Sequence, residues 1–392
     1  MAEFHVHEDQ LDEESEFYQE KIENLAQAEE AFGRQESETS PGPAKLTLQT
    51  NYSCNLRCIT CPIERPTRIA GSMPYEMFDR ISRETFGKLV LLTTTTVGEP
   101  LMLPWFDRMC QRANEYGVLM DIVTNATLLD REKAREILGT AADIKVSYDG
   151  ASEETFEGIR KGSSKRKVDE NLDLLMKERE LMRPSNRPSV TIQTTLLRSN
   201  IAELPAITEK VCSMGADRIK AYYMISYRKE TDGEVLAGDD SDYYLYIEEA
   251  AEIAKGYGVL FLGAEKSEAG GPAPEKGLCA TPWYQTWVDM DGSVMPCHSH
   301  RGAVMGRAEN GIGAVWNGAA YRDLRSSMIS DSPDSICHLC GMRYSRTDGV
   351  RAADYDRDNF LSENSVNQRE DAGVRWSSRT RLFDTRRLGR QK

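Results

Sequence analysis

From Lys45 to Gly258 the chain alternates short strand-forming runs with helix-periodic ones, and that rhythm constrains its fold more than any other feature. The candidate strands are KLTLQTN, KLVLLTTTT, VLMDIVTN, DIKVSYD, SVTIQTTLL and RIKAYYMI. Between them PYEMFDRISRETF, LPWFDRMCQRANEY, DREKAREILG, VDENLDLLMKERELM and IAELPAITEKVCSMG place apolar residues at helical spacing. A further helix, SDYYLYIEEAAEIAKGYG, follows the sixth strand. Strands separated by helices of about ten to fifteen residues build a parallel sheet with right-handed crossovers. Six strands are too few to close an eight-stranded barrel, which leaves a doubly wound sheet or a partial barrel. Either way ligands gather at the carboxyl edge, where the sequence places Asn55, Glu99, Asn125, Ser147 and Asp149.

Seven of the nine cysteines fall into two spaced sets. The first, Cys54, Cys58 and Cys61, follows the first strand, and three thiols are one short of a closed tetrahedral site. The second, Cys279, Cys297, Cys337 and Cys340, is complete with four, and its spacing suits zinc or an iron–sulfur cluster equally. Three cysteines on a cubane cluster leave one iron open to a small chelating molecule, which favours the iron–sulfur reading. Cys110 and Cys212 stand alone inside amphipathic stretches and read as packing residues. The histidines are His5, His7, His298, His300 and His338, so residues 45–278 hold no histidine base. His298 and His338 adjoin cysteines of the second set and read as tuning or shielding groups.

These segments resemble a radical S-adenosylmethionine enzyme with a Twitch-type, SPASM-related auxiliary domain. The family pattern CxxxCxxC is CNLRCITC here, and VGEPLM, IVTNATLL and IKVSYDGASEETFEGIRKGS match its later strand segments in order. Cys279, Gly292 and Cys297 fit the auxiliary pattern, with Cys337 and Cys340 as its close pair. The resemblance spans about residues 45–345 and implies a partial (β/α)6 barrel of parallel strands with a small C-terminal α+β cluster-binding domain. It implies two [4Fe–4S] clusters, one on Cys54, Cys58 and Cys61 and one on Cys279, Cys297, Cys337 and Cys340. S-adenosylmethionine is expected on the open iron, with Glu99 meeting its amino group and Asn125, Ser147 and Arg160 around the rest. One departure is Thr60, where the family carries an aromatic or large residue.

The expected organisation is an acidic leader and linker, partly disordered, over 1–44, a barrel over 45–270, an auxiliary domain over 271–345, and an extension ending in a basic tail over 346–392. Within the auxiliary domain PWYQTWVDMDGSVMPC reads as a hairpin turning at Asp291-Gly292. Residues 1–40 hold thirteen acidic residues against Lys21 and Arg34, within a chain of net charge -14. A basic tail without a basic core face is a weak signal for nucleic acid, and none is expected as a partner. The sequence offers neither a signal peptide nor a membrane span, and its grouped thiols point to the cytoplasm.

The leader is too short and too acidic for a peptide-recognition domain, and no spare thiol is placed toward the barrel. The reaction expected is therefore oxidation of a small polar metabolite, such as a sugar, aminocyclitol or nucleoside, with the auxiliary cluster accepting an electron. Flavodoxin or ferredoxin is the expected electron donor. Peptide or protein modification, and radical epimerisation, are the alternatives.

Overall fold

The computed structural model describes residues 11, 13–63, 71–236, 243–263, 278–297, 303–330, 332, 333 and 337. It begins with helix α1 (Tyr18–Gly33), followed by β1 (Lys45–Leu48), α2 (Tyr75–Thr85), β2 (Leu91–Thr94) and α3 (Phe106–Glu115). Next come β3 (Leu119–Thr124), α4 (Arg131–Leu138), β4 (Ala141–Ser147), α5 (Glu153–Ile159) and α6 (Lys165–Glu180). Then β5 (Ser189–Leu196), α7 (Leu204–Ser213), β6 (Arg218–Tyr223), α8 (Tyr243–Gly256) and β7 (Leu260–Leu262) complete the repeating part. The C-terminal unit holds α9 (Thr281–Tyr284), β8 (Gln285–Val288), β9 (Ser293–Met295), β10 (Gly306–Arg307), α10 (Ile312–Trp316) and α11 (Ala319–Ile329).

Strands β1 to β7 are neighbours in chain order and all parallel, as an α/β partial barrel requires. Side chains alternate across each strand. Leu46, Ile122, Ile144, Val190 and Ile219 turn outward into one core with Phe78, Met109, Ile137, Leu172 and Val211 from the surrounding helices. Cys110 and Cys212 are buried in that same outer core, on α3 and α7. Local signals start the helices: Asp130 accepts from Lys133 N and Ser152 accepts from Thr155 N, each filling an orphan donor of the first turn.

The C-terminal hairpin shares the barrel's sheet. Strand β8 pairs parallel with β1, from Lys45 opposite Gln285 to Leu48 opposite Val288, and β9 then folds back antiparallel on β8. Gly292 makes the reversal with φ +85°, a conformation that favours glycine. Helix α1, inside the acidic stretch, is packed against both units. Lys21 Nζ donates to the carbonyls of Phe86 and Leu89 at 2.5 and 2.6 Å, while Phe32 meets Trp283 edge-on at 5.5 Å. Trp283 Nε1 donates to Glu36 O at 2.7 Å, and the buried Arg325 guanidinium reaches Ser37 O, Pro282 O and Trp316 O.

Candidate active site

The loop after β1 carries Cys54, Cys58 and Cys61, none of them in a disulfide and all half-buried. It is held by backbone bonds from Arg57 N to Lys161 O and from Ile59 N to Ile159 O, at 2.8 and 2.9 Å. Arg228, in the segment after β6, donates Nη2 to Ile59 O at 2.7 Å and to Cys58 O at 3.3 Å. Ile59 also packs with Ile159, Leu197 and Met224. Thr60 therefore sits in a stretch fixed on both sides. Burial pushes the Cys58 thiol up to about 11, against the pull of the Arg160 guanidinium. A thiolate is stable at such a position only when positive charge sits against it, as iron would provide.

Glu99 lies 1% exposed beyond the carboxyl end of β2. The preceding Gly98 has φ +139°, and a Cβ there would stand 2.8 Å from Asn51 O, so only glycine lets the chain pass. One Glu99 oxygen accepts from Thr124 Oγ1 at 2.8 Å and Leu101 N at 3.2 Å; the other accepts from Asn125 N at 2.8 Å. Burial nonetheless outweighs these bonds and raises its carboxyl to about 7. A cationic ligand set against it would favour the ionised form.

The neighbouring residues link this carboxylate to the thiols. Asn125 Nδ2 donates to Asn55 Oδ1 at 3.0 Å and approaches Cys54 Sγ at 3.7 Å. Arg160 pairs with the fully buried Asp149 at 2.7 Å, and its Nη1 lies 3.9 Å from Cys58 Sγ. Among the described residues the buried Nε of Arg160 has no hydrogen-bond partner. Ser147 ends β4 half-buried, opposite Gln193 of β5. Cys54, Cys58, Glu99, Asn125 and Arg160 thus form one connected constellation, with Ser147 on the same sheet edge. Asp149 was visible in the sequence as a polar strand end, but not as the partner of Arg160. Nothing in the sequence signalled Arg228.

In the second set, Cys279 and Cys337 share an apolar cluster with Trp283, Leu324 and Met328, and Cys297 follows the β8–β9 hairpin. Cys340, His298, His300 and His338 lie outside the described residues. Among the described residues no three Cys, His or carboxylate groups converge closely enough to hold a single metal ion. Half-buried thiols spread along one loop, beside a guanidinium with an orphaned Nε, fit the larger footprint of an iron–sulfur cluster and an anionic chelator.

The fold and the two thiol sets agree with a chain built from a radical S-adenosylmethionine domain and an iron–sulfur cluster-binding domain. The chain carries a radical SAM superfamily domain over residues 48–211 and a SPASM iron–sulfur cluster-binding domain over 279–341. Those domains imply [4Fe–4S] clusters and S-adenosylmethionine as its cofactors. It is 24% identical over 339 residues to the tungsten-containing aldehyde ferredoxin oxidoreductase cofactor-modifying protein of Pyrococcus furiosus, covering 79% of this chain and 90% of that one. It is 23% identical over 325 residues to the PqqA peptide cyclase of Bradyrhizobium diazoefficiens, covering 78% and 81%. SuiB of Streptococcus suis, solved with S-adenosylmethionine, has the same fold at TM-score 0.59 and 15% identity, over 83% of this chain and 76% of that chain.

These relatives overturn the expected small polar metabolite, as substrate and as partner. Matches running through both domains lead to proteins named for modifying a peptide or another protein's cofactor. The metabolite was inferred from a recognition domain the chain seemed to lack. Such an inference says nothing of the groups that line the barrel. Among the described residues no helix is long and apolar enough to cross a membrane.

Proposed function

We propose that this chain modifies a peptide or protein by radical S-adenosylmethionine chemistry. The observation that carries the reading is the similarity, through barrel and auxiliary domain together, to a protein named a peptide cyclase. The likeness in fold to SuiB, also solved with its precursor peptide SuiA, is in keeping with it. When bound, the cluster and S-adenosylmethionine supply one-electron, hydrogen-abstracting chemistry.

This chain's residues bind and orient. Cys54, Cys58 and Cys61 hold the first cluster, and Cys279, Cys297, Cys337 and Cys340 hold the auxiliary one. Glu99 would accept from the ammonium of S-adenosylmethionine, and Arg160 would meet its carboxylate through Nε, which has no hydrogen-bond partner among the described residues. Asn125 orders the edge between Cys54 and Glu99, and Ser147 borders the ribose. Asp149 holds Arg160 charged and in place, and Arg228 fixes the loop carbonyls. Oxidation of the peptide is the redox outcome favoured by a second set of four cysteines in the sequence, and clustered thiols outside any disulfide among the described residues favour a cytoplasmic setting.

The test is anaerobic incubation of the reconstituted enzyme with reductant, S-adenosylmethionine and peptides encoded beside its own reading frame. Release of 5′-deoxyadenosine should rise with the true peptide, and that peptide's mass should change. Stimulation by sugars or nucleosides and by no peptide would overturn the proposal.

A further inference from the structure

The segment that delivers Glu99 is strained, and so is the one that receives it. Thr95 has φ +25° and Ala126 has φ +59°, two of the three non-glycine residues with positive φ among the described residues. Thr95 directly follows β2 and opens the run to Gly98 and Glu99. Ala126 follows Asn125, whose N–H bonds the Glu99 carboxylate at 2.8 Å. Positive φ is costly for a residue with a Cβ, most of all a β-branched one, and it persists only where the surroundings impose it. On the receiving side Asn171 Nδ2 holds Ala126 O at 2.7 Å.

On the delivering side two fully buried residues just beyond β1, Gln49 and Thr50, impose the course of residues 95–98. Thr95 N donates to Leu48 O at 2.8 Å, and the Thr95 hydroxyl meets that of Thr50 at 2.5 Å. Gln49 clamps the next two residues. Its Oε1 accepts from Thr96 Oγ1 at 2.9 Å, Thr96 N at 3.1 Å and Val97 N at 3.3 Å. Its Nε2 donates to Val97 O at 2.7 Å, and again at 2.7 Å to Asn51 O, three residues before Cys54. Glu99 N closes the same junction by donating to Ser53 O at 2.8 Å. One planar amide thus fastens the run into Glu99 onto the backbone that enters the thiol loop.

We infer that Gln49 is a positioning residue for S-adenosylmethionine, fixing the Glu99 carboxylate relative to Cys54 and so the fit of the ligand's amino group. The inference rests on the assignment of Glu99 to that ammonium and not on the nature of the substrate. The chemistry of the clamp requires an amide. A carboxylate at position 49 would face the carbonyls of Val97 and Asn51, and an apolar side chain would leave them and the two backbone N–H groups unpaired in a buried place. Charge-assisted hydrogen bonds weaken steeply once distance and angle are lost. A carboxylate released from this clamp therefore loses the ammonium, while contacts to the rest of the ligand persist.

The test is a double-mutant cycle on the anaerobically reconstituted enzyme, read by calorimetry with S-adenosylmethionine and with its analogue lacking the amino group. Wild type should bind the amino-bearing ligand about tenfold or more tightly than the deaminated one. Gln49→Met, which keeps the side chain's length, should weaken S-adenosylmethionine about tenfold and leave the deaminated analogue within about twofold. In a Glu99→Gln background the same substitution should add less than about twofold, because the group it positions is already gone. A merely structural role would weaken both ligands alike, or add in full to Glu99→Gln, and either result overturns the inference. If Gln49→Met does not fold, Thr96→Val removes one hydroxyl from the clamp and should show the same selective loss at about threefold. No loss there, or an equal loss for both ligands, likewise overturns it. Wild type that binds the two ligands equally would refute the Glu99 assignment itself, and this inference with it.

Discussion

Tyr52 Oη donates to both carboxylate oxygens of Asp289, at 2.8 and 2.9 Å. Tyr52 stands two residues before Cys54, and Asp289 begins the turn of the auxiliary hairpin, so the bond ties the first thiol loop to the C-terminal unit. A hydrogen bond to a charged group contributes about 1.5–3 kcal/mol. Tyr52→Phe and Asp289→Asn should each lower unfolding stability by an amount near the bottom of that range. The double variant should cost little more than either single one in urea titrations; full additivity would show that the pair is not coupled.

Glu99 should make S-adenosylmethionine binding depend on pH. Its carboxyl is raised to about 7, so lowering the pH through 7 protonates the proposed ammonium partner. Affinity should weaken by up to tenfold per pH unit below that point and level off above it. Glu99→Gln should bind about tenfold or more weakly at pH 8, with the slope gone. Calorimetry from pH 5.5 to 8.5 measures both, and a variant that keeps the wild-type slope assigns the titration to another group.

The same group sets a sign for stability without ligand. Its folded value lies above that of an unfolded glutamate, so the native state holds the proton more tightly. Stability should therefore fall as pH rises from about 4.5 to about 7, and stay lower above it. The Glu99 contribution to that fall is on the order of 3 kcal/mol and should vanish in Glu99→Gln. Denaturant midpoints of both proteins across this range provide the comparison.

Replacing Lys21 with Ala should destabilise the chain by about 2–4 kcal/mol. It strips two buried carbonyls, Phe86 O and Leu89 O, of their donor and leaves a cavity under α1. A loss below about 0.5 kcal/mol, the size usual for an exposed surface change, would show that α1 adds nothing to the body.

Iron content separates the two thiol sets. Wild type should bind about eight irons, four for each cubane. The Cys54, Cys58, Cys61→Ala triple variant should keep about four and release no 5′-deoxyadenosine. Retention of all eight would place the first cluster on other residues.

The repeating half of the fold was readable because two local periodicities coincide with burial: outward apolar strand positions and one apolar helix face. The thiol loop was readable because its members lie within eight positions of sequence. Glu99 was legible as a polar strand end within VGEPLM, the segment that carries the family resemblance. Arg228 was invisible, since a guanidinium that braces carbonyls 169 and 170 positions away leaves no local pattern. Helix α1 was hidden by its acidic composition. Its buried positions are Leu25, Ala28, Ala31 and two polar residues, Lys21 and Asn24, which look solvated in sequence. The partner of β8 lies some 240 residues earlier, so four residues of strand were read as part of an isolated hairpin. Substrate class failed for a different reason: it was argued from a domain held to be missing.

The pairing of β8 with β1 has a mechanical consequence. Strand β1 is flanked on both sides, by β2 and β8, and Gln49 N extends the second ladder to Val288 O at 2.9 Å. Swinging the hairpin away would break that whole ladder at once, so β1 and β8 are joined stiffly along their length. The hairpin must move as one body with the thiol loop. The distance from the thiol loop to Cys297, which follows the hairpin, is therefore set by strand register rather than by a tether's length.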